Sequence, residues 1–183
     1  MDRLPERIEA PGLLLRRWTV DDADALASLV ADNAEHLRPW MPWMAEEPRT
    51  MADRIALIQR WEDEWIAGGD VLLAVVHDGE IAGSCGMHRR IGSGGVELGY
   101  WIAVPHLRQG VATAAARALT ETALDLPEID RVEIHHDVNN VASAGIPPKL
   151  GFERVGQEPG AARAPADSGV EWVWRATAPP SRH

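Results

Sequence analysis

The stretch "GYWIAVPHLRQGVATAAARALTETAL", residues 99–124, decides the reading of this chain. A short apolar run ends at Pro105 and passes through Arg108-Gln109-Gly110. It then enters a helical pattern whose first turns carry almost nothing larger than a methyl group. A helix N-terminus presents unpaired N–H groups and about half a positive charge, so a bare first turn invites a phosphate against the backbone. The segment lacks the lysine of GxxxxGK[ST] and is not GxGxxG, which argues against nucleoside-triphosphate chemistry. On these residues alone an anion cradle and a tightly packed alanine helix are both open.

Outward from this stretch the chain alternates two periodicities. "LLLRRW" (13–18) predicts a first strand. Thr19 and Asp22 then form a capping-box pattern before the stripe Ala23, Leu26, Ala27, Val30. Thr50 and Asp53 repeat the pattern, opening a helix with Ile55, Ile58, Trp61 and Trp65 inward, stopped at Gly68-Gly69. "VLLAVVHDGEIAGSCGMHRR" reads as two strands around an Asp78-Gly79 hairpin, and 96–104 as a third strand of the meander. The alanine helix spans about 110–125. A strand at 131–138, a short segment broken by Pro147-Pro148, and two strands near 152–157 and 169–176 complete the order β-α-α-β-β-β-α-β-α-β-β. That order predicts an α/β fold with one mixed, mostly antiparallel sheet of about seven strands and about four helices. The expected organisation is one domain over 1–183, with a core of about 12–176 and a disordered tail at 177–183.

Bulk properties narrow the classes. An apolar fraction of 45% suits a globular core. Acidic residues outnumber basic ones, 28 to 18, for a net charge of −10. This argues against a nucleic-acid binder, whose affinity rests on neutralising phosphates. A single cysteine, Cys85, excludes an intrachain disulfide and fits a reducing, cytoplasmic setting. No run approaches ~18 apolar residues, so no membrane span is expected.

Four segments, taken together, resemble the GNAT superfamily of acyl-CoA-dependent N-acyltransferases, in its RimJ/RimL-type, ribosomal-protein N-terminal acetyltransferase-like branch. Leu107-Arg108-Gln109-Gly110-Val111-Ala112 is similar to the pyrophosphate-binding pattern Gln/Arg-x-x-Gly-x-Gly/Ala, with leucine at the usual first polar position. Glu97-Leu98-Gly99-Tyr100-Trp101 lies upstream, Asn140-x-x-Ser143 with Leu150-Gly151-Phe152 downstream, and "HLRPWMPW" near the N-terminus. The resemblance implies acetyl-CoA as donor, no metal, and direct transfer to a primary amine. A protein or peptide N-terminal α-amine is the first choice. A small amine (polyamine, amino sugar or amino acid), or a CoA-binding sensor without turnover, are the alternatives, and a homodimer is compatible with it.

The resemblance also assigns roles. The amides of Arg108, Gln109, Gly110, Val111, Ala112 and Thr113 would hold the pyrophosphate, and the backbone of Ile102, Ala103 and Val104 would pair with pantetheine. Asn140 would bond the same arm or simply cap the next helix. Ser143 occupies a place near the thiol. Many members protonate the thiolate with a tyrosine seven residues after the Asn; here that position is Pro147, and Tyr100, the sole tyrosine, reads as packing.

Glu97, opening the thioester strand, is the first candidate for the base, against a plain solvated glutamate. His88 on the adjacent strand is the second, and a candidate for substrate binding. Cys85, mid-strand, reads as a core residue. His135 and His136 are strand neighbours, so they point to opposite faces and form no metal pair. Trp40 and Trp43 line a substrate mouth, plug the sheet, or form a dimer contact.

Overall fold

Strand formation begins earlier than the apolar pattern suggests. A computed structural model of the chain describes residues 5–180. In it β1 (Arg7–Ala10) pairs antiparallel with β2 (Leu13–Arg17). Four half-exposed residues alternating charged and apolar give β1 no run to detect, so the sheet has eight strands instead of seven. After β2 come α1 (Ala23–Asp32), the single turn α2 (Ala34–Leu37), a 3-10 turn over Pro42–Glu46, and α3 (Met51–Ile66). The meander β3 (Val71–His77), β4 (Glu80–His88) and β5 (Gly95–Ile102) follows. Asp78 and Gly79 lie in the left-handed region that a two-residue hairpin turn requires. Then come α4 (Val111–Leu124), β6 (Arg131–Asp137), α5 (Val141–Ala144), β7 (Glu153–Pro159) and β8 (Val170–Ala176). The tryptophan segment supplies α2, an extra helical turn beyond the four expected helices. Residues 177–180 follow β8 with Pro180 buried, and 181–183 lie outside the described residues.

The sheet order is β1-β2-β3-β4-β5-β6-β8-β7, and every neighbouring pair is antiparallel except β5 with β6. Because side chains alternate across a strand, each face gathers its own core. One face carries Leu15, Leu73, Met87, Leu98 and Ile134 against the alanines of α4, with Ala115, Ala116 and Leu119 fully buried. Methyl-sized side chains let α4 lie close to the sheet. The other face carries Ala74 and Trp101 under α1 and α3, with Leu26, Val30 and Ile58 buried. Cys85 lies in the first of these cores at 1% exposure, and burial drives its thiol well above the ordinary range. It is no nucleophile.

The turn from β2 into α1 is fixed by one carboxylate. Asp22 accepts two hydrogen bonds of 2.8 Å from the Arg16 guanidinium and bonds of 2.9 Å from the amide and hydroxyl of Thr19. The hydrogen bond from Arg16 is the main reason its carboxyl sits below the usual range, against an opposing effect of burial. A carboxyl lowered on folding stabilises the fold above its unfolded pKa of ~3.9, and that contribution is lost as pH falls through the folded value. Asp22→Asn is therefore expected to cost about 1–2 kcal/mol at pH 7 in denaturant unfolding. Wild type and variant should converge as the pH falls below ~4. A gap that persists undiminished at pH 3 would show that the charge is not what matters.

Candidate active site

The parallel pair β5–β6 is joined over four residues only, Gly95–Leu98 against Arg131–Ile134. Both strands continue, β5 to Ile102 and β6 to Asp137, without pairing to each other beyond Leu98 and Ile134. The sheet therefore opens at its centre from Gly99 and His135 onward. Ala103 donates to the Ala82 carbonyl at 2.8 Å, on the β4 side. Backbone directions alternate along a strand, so the amides and carbonyls of Tyr100 and Ile102 point into the opening. The next amide in that direction, Val104, is taken by the Asn33 side chain at 2.7 Å. Asn33 is buried at the end of α1 and also donates to the Leu29 carbonyl, tying that helix to the exit of β5. Of Ile102, Ala103 and Val104, only Ile102 therefore keeps its amide for a ligand in the opening.

Beyond this exit the chain makes a 3-10 turn over Val104–His106 and reaches the start of α4. Arg108 (φ 61°) and Gly110 (φ 81°) are both left-handed. Gly110 precedes the helix, where a left-handed residue other than glycine is strained. Its carbonyl accepts the first helical bond, from Ala114 at 2.9 Å. The amides of Val111, Ala112 and Thr113 then have no partner within the helix. Gln109 turns its side chain back to the Pro105 carbonyl at 2.8 Å, and Leu107 is exposed. The result is an amide-lined concavity of the kind that binds a pyrophosphate without lysine.

A cleft of about 1140 Å³ runs through the opening and takes lining residues from both faces of the sheet. On the α4 face, the Tyr100 hydroxyl stands 3.3 Å from Ser143 Oγ. Burial pushes the Tyr100 phenol up to about 12, so it is protonated at neutral pH. Asn140 caps α5 by accepting the Ser143 amide at 3.1 Å. As Pro147-Pro148 predict, α5 is a single turn followed by a 3-10 turn over Pro147–Leu150. His136 accepts from Trp174 Nε1 at 3.0 Å, while its Nδ1 bonds the Asp137 carbonyl at 2.9 Å. An indole only donates, so this histidine is neutral with its proton on Nδ1.

The opposite face is strongly charged. Glu97 is 8% exposed, and both its oxygens are held by Arg90, Nε at 2.7 Å and Nη2 at 2.5 Å. Across from it on β4, His88 Nδ1 lies 2.6 Å from Asp70 Oδ2, while the Arg89 amide takes Asp70 Oδ1 at 2.9 Å. The bond with His88 is the main cause of a lowered Asp70 carboxyl. On β6, His135 Nε2 lies 2.7 Å from Glu133, which also accepts from Arg175 at 2.8 Å. Burial pushes Glu133 up, but these hydrogen bonds outweigh it and the carboxyl ends below its ordinary range. Glu171 on β8 completes the wall; burial raises its carboxyl, helped by Glu97 and Asp167 and opposed by His135 and Arg90. His135 and His136 do lie on opposite faces, and no cluster of three or more possible metal ligands occurs among the described residues.

Trp40, Trp43, Trp61 and Trp101 form the apolar side of the cleft, with the Trp43 and Trp101 rings 5.9 Å apart. A backbone bond of 3.0 Å from Ala166 to the Pro39 carbonyl joins the loop between β7 and β8 to the tryptophan segment. Asp137 anchors that loop by accepting from the Ser168 amide and hydroxyl at 2.6 and 2.9 Å. Sequence reasoning did not single out Asp70 and Glu171, which line the cleft, or Asn33, which holds Val104; Tyr100, read as packing, does pack against the core and also lines the cleft. A usable signal existed in β6, where Glu133, His135 and Asp137 put polar groups at every second position of a central strand.

A sheet that parts between two parallel strands, above an amide-lined helix start, is the architecture of an acyl-CoA-dependent transferase. The chain belongs to the family described as acetyltransferase (GNAT) domain, whose model matches residues 12–153. It is 32% identical over 148 residues to a protein of Bacillus subtilis (strain 168) named ribosomal N-acetyltransferase YdaF, covering 79% of this chain and 80% of that one. Among solved structures, the microcin C7 self-immunity acetyltransferase MccE, in complex with acetyl-CoA and AMP, superposes with a TM-score of 0.84 at 19% identity. That match covers 92% of this chain and 94% of the other. RimL, a ribosomal L7/L12 α-N-protein acetyltransferase in complex with coenzyme A, gives 0.83 at 20% identity over 96% and 98%. The protein is an acetyl-CoA-dependent N-acetyltransferase.

The cradle makes a direct prediction. Acetyl-CoA at 100 times its Kd should stabilise the protein by about 2.7 kcal/mol, or roughly 5–10 °C in Tm. Ala112 is partly buried against the core, so Ala112→Glu should lower the unliganded Tm modestly, a carboxylate in a first helical turn offsetting part of the cost. It should also abolish the shift by repelling the pyrophosphate, read by differential scanning fluorimetry. A full shift in that variant would place the phosphates elsewhere.

Proposed function

We propose that the acceptor is the free α-amine of a protein or peptide N-terminus. The observation that carries this reading is the cleft itself. At about 1140 Å³ it is lined by four tryptophans, suited to apolar contact with a peptide, and by Asp70, Glu97, Asp137 and Glu171, suited to an arriving ammonium. An α-amine with pKa near ~8 costs about 1.4 kcal/mol to neutralise at pH 7, against roughly 4.6 for a lysine near ~10.4. The lower cost suits a site with one weak base. The Bacillus relative, named for ribosomal acetylation, supports the same acceptor class.

In this reading the pyrophosphate of acetyl-CoA rests on the amides of Arg108 to Thr113. Pantetheine lies in the strand opening beside Tyr100 and Ile102, within reach of the Asn140 side chain. The neutral amine attacks the thioester carbonyl carbon from the charged face, the C–S bond breaks, and the thiolate takes a proton on the α4 face. Tyr100, kept protonated by burial and bonded to Ser143, supplies that proton, so the serine relays or orients. Tyr100→Phe should lower kcat at least about tenfold and leave the acetyl-CoA Kd within about twofold; an unchanged kcat would remove the phenol from the reaction.

Peptides beginning with free Ser or Ala should be turned over, with much lower rates once the terminus is blocked and only an internal lysine remains. Equal rates on the blocked peptide would defeat the α-amine assignment. The cluster of carboxylates also suits a small polycation, and turnover of spermidine without turnover of any peptide would establish that second reading.

A further inference from the structure

We propose that His88 is the general base that deprotonates the acceptor, with Asp70 as the positioning residue that fixes its ring. The assignment rests on amine acetylation and not on which amine is used.

Four side chains on the charged face could accept a proton, and their surroundings separate them. Glu171 stands on β8, on the far side of β6 from the β5 edge of the opening. Glu97 has both oxygens in the Arg90 fork, at 2.7 and 2.5 Å. His135 has Nε2 bound to Glu133 at 2.7 Å, and its Nδ1 lies on the β8 side, 3.9 Å from Glu171 and beyond hydrogen-bonding distance. His88 has one nitrogen bound and the other directed at the β5 edge of the opening, over Gly99. Its Nδ1 lies 2.6 Å from Asp70, so the proton belongs on Nδ1 and the Nε2 lone pair is left open.

The position of that open nitrogen is set by Gly99. A Cβ on residue 99 would lie 3.2 Å from His88 Nε2. The imidazole therefore leans over the first residue of β5 that is no longer paired to β6. This is the mouth of the opening on the face where the amine arrives. Asp70 is itself held, by the Arg89 amide at 2.9 Å, so the pair has the carboxylate–imidazole geometry that orients a base and stabilises the imidazolium.

The step balances without a co-reactant. His88 Nε2 takes a proton from the acceptor ammonium, and the freed lone pair forms the C–N bond as the C–S bond breaks. The thiolate is protonated by Tyr100 from the opposite face, the acetylated nitrogen sheds its second proton and the imidazolium its own to solvent through the open cleft, and one proton from solvent restores the phenol. The charged groups around the ring are Asp70 before β3, Arg90 after β4, Glu97 across on β5, and Arg60 and Glu64 from α3 at the cleft wall.

The test is the pH dependence of kcat/KM in wild type, His88→Gln, Asp70→Asn, Glu97→Gln and His135→Gln, with acetyl-CoA Kd as the check on folding. A Ser-initial peptide and spermidine serve as parallel acceptors, alongside acceptor-free hydrolysis of acetyl-CoA. A base works only when neutral, so the wild-type rate should fall on the acidic side. His88→Gln should lose about 10²-fold in kcat and lose that acidic limb, with Kd within about twofold. Asp70→Asn should lose less and displace the limb, a readout that mere packing would not move. An acidic limb retained in His88→Gln with kcat within threefold would overturn the proposal, as would its disappearance in Glu97→Gln or His135→Gln instead. A dead peptide with live spermidine counts against the acceptor only, because His88 is then read on spermidine or on hydrolysis.

Discussion

The failure of β5 and β6 to stay paired is the constraint from which the rest of the site follows. Backbone N–H and C=O groups inside a protein have to be hydrogen-bonded. A central sheet that opens after four residues leaves those of Tyr100 and Ile102 facing a gap. A ligand carrying amides of its own can complete that ladder, as pantetheine does in this reading. The gap is kept open by groups on either side that hold the diverging strands elsewhere. Ala103 is bound to β4, Val104 to Asn33 of α1, and Asp137 to the loop preceding β8. None of these contacts touches the other strand, and each removes an opportunity for β5 and β6 to close.

Opening the sheet also separates the two proton transfers of the proposed reaction. The pleat sends Leu98, Tyr100 and Ile102 toward α4, and Glu97, Gly99 and Trp101 toward α1 and α3. A group on one face cannot reach the other except through the gap. The protonated phenol beside Ser143 lies on the first side. The Asp70–His88 pair lies on the second, over a residue without a side chain. In the proposed reaction, the acid at the departing sulfur and the base at the attacking nitrogen are thereby kept from neutralising each other.

Much of this was legible in the order of residues. The hairpin at Asp78-Gly79, both capping patterns and the bare start of α4 follow from local chemistry, and the structure has them within a residue or two. Local chemistry also explains the failures. β1 is four residues without an apolar run, and only its pairing with β2 makes it a strand. Tyr100 does pack against the core, as read, but its contact with Ser143, 43 positions away, depends on the return of α5 to the sheet. Glu97 read as the best-placed carboxylate, but the sequence could not show that Arg90 would occupy both of its oxygens. The alternation Glu133, His135, Asp137 was visible, yet its meaning depends on which face of β6 meets the opening. That is a matter of register with β5.

The chain's charge makes the form of the donor site intelligible. With a net charge of −10, and with carboxylates concentrated in the acceptor cleft, a polyanion such as acetyl-CoA is repelled at long range by most of the molecule. Leu107 supplies no charge where a polar residue is usual in the cradle, and Lys149, the sole lysine, lies in the turn after α5. Beyond the exposed Arg108, attraction comes from a source independent of surface composition. The left-handed turn at Arg108 and Gly110 provides one, because it aims successive amides and a helix terminus into a single concavity. The positive end is thus made largely of backbone, beside the exposed Arg108, and the negative end of side chains. The cleft can change its carboxylates to suit an acceptor without weakening its hold on the donor.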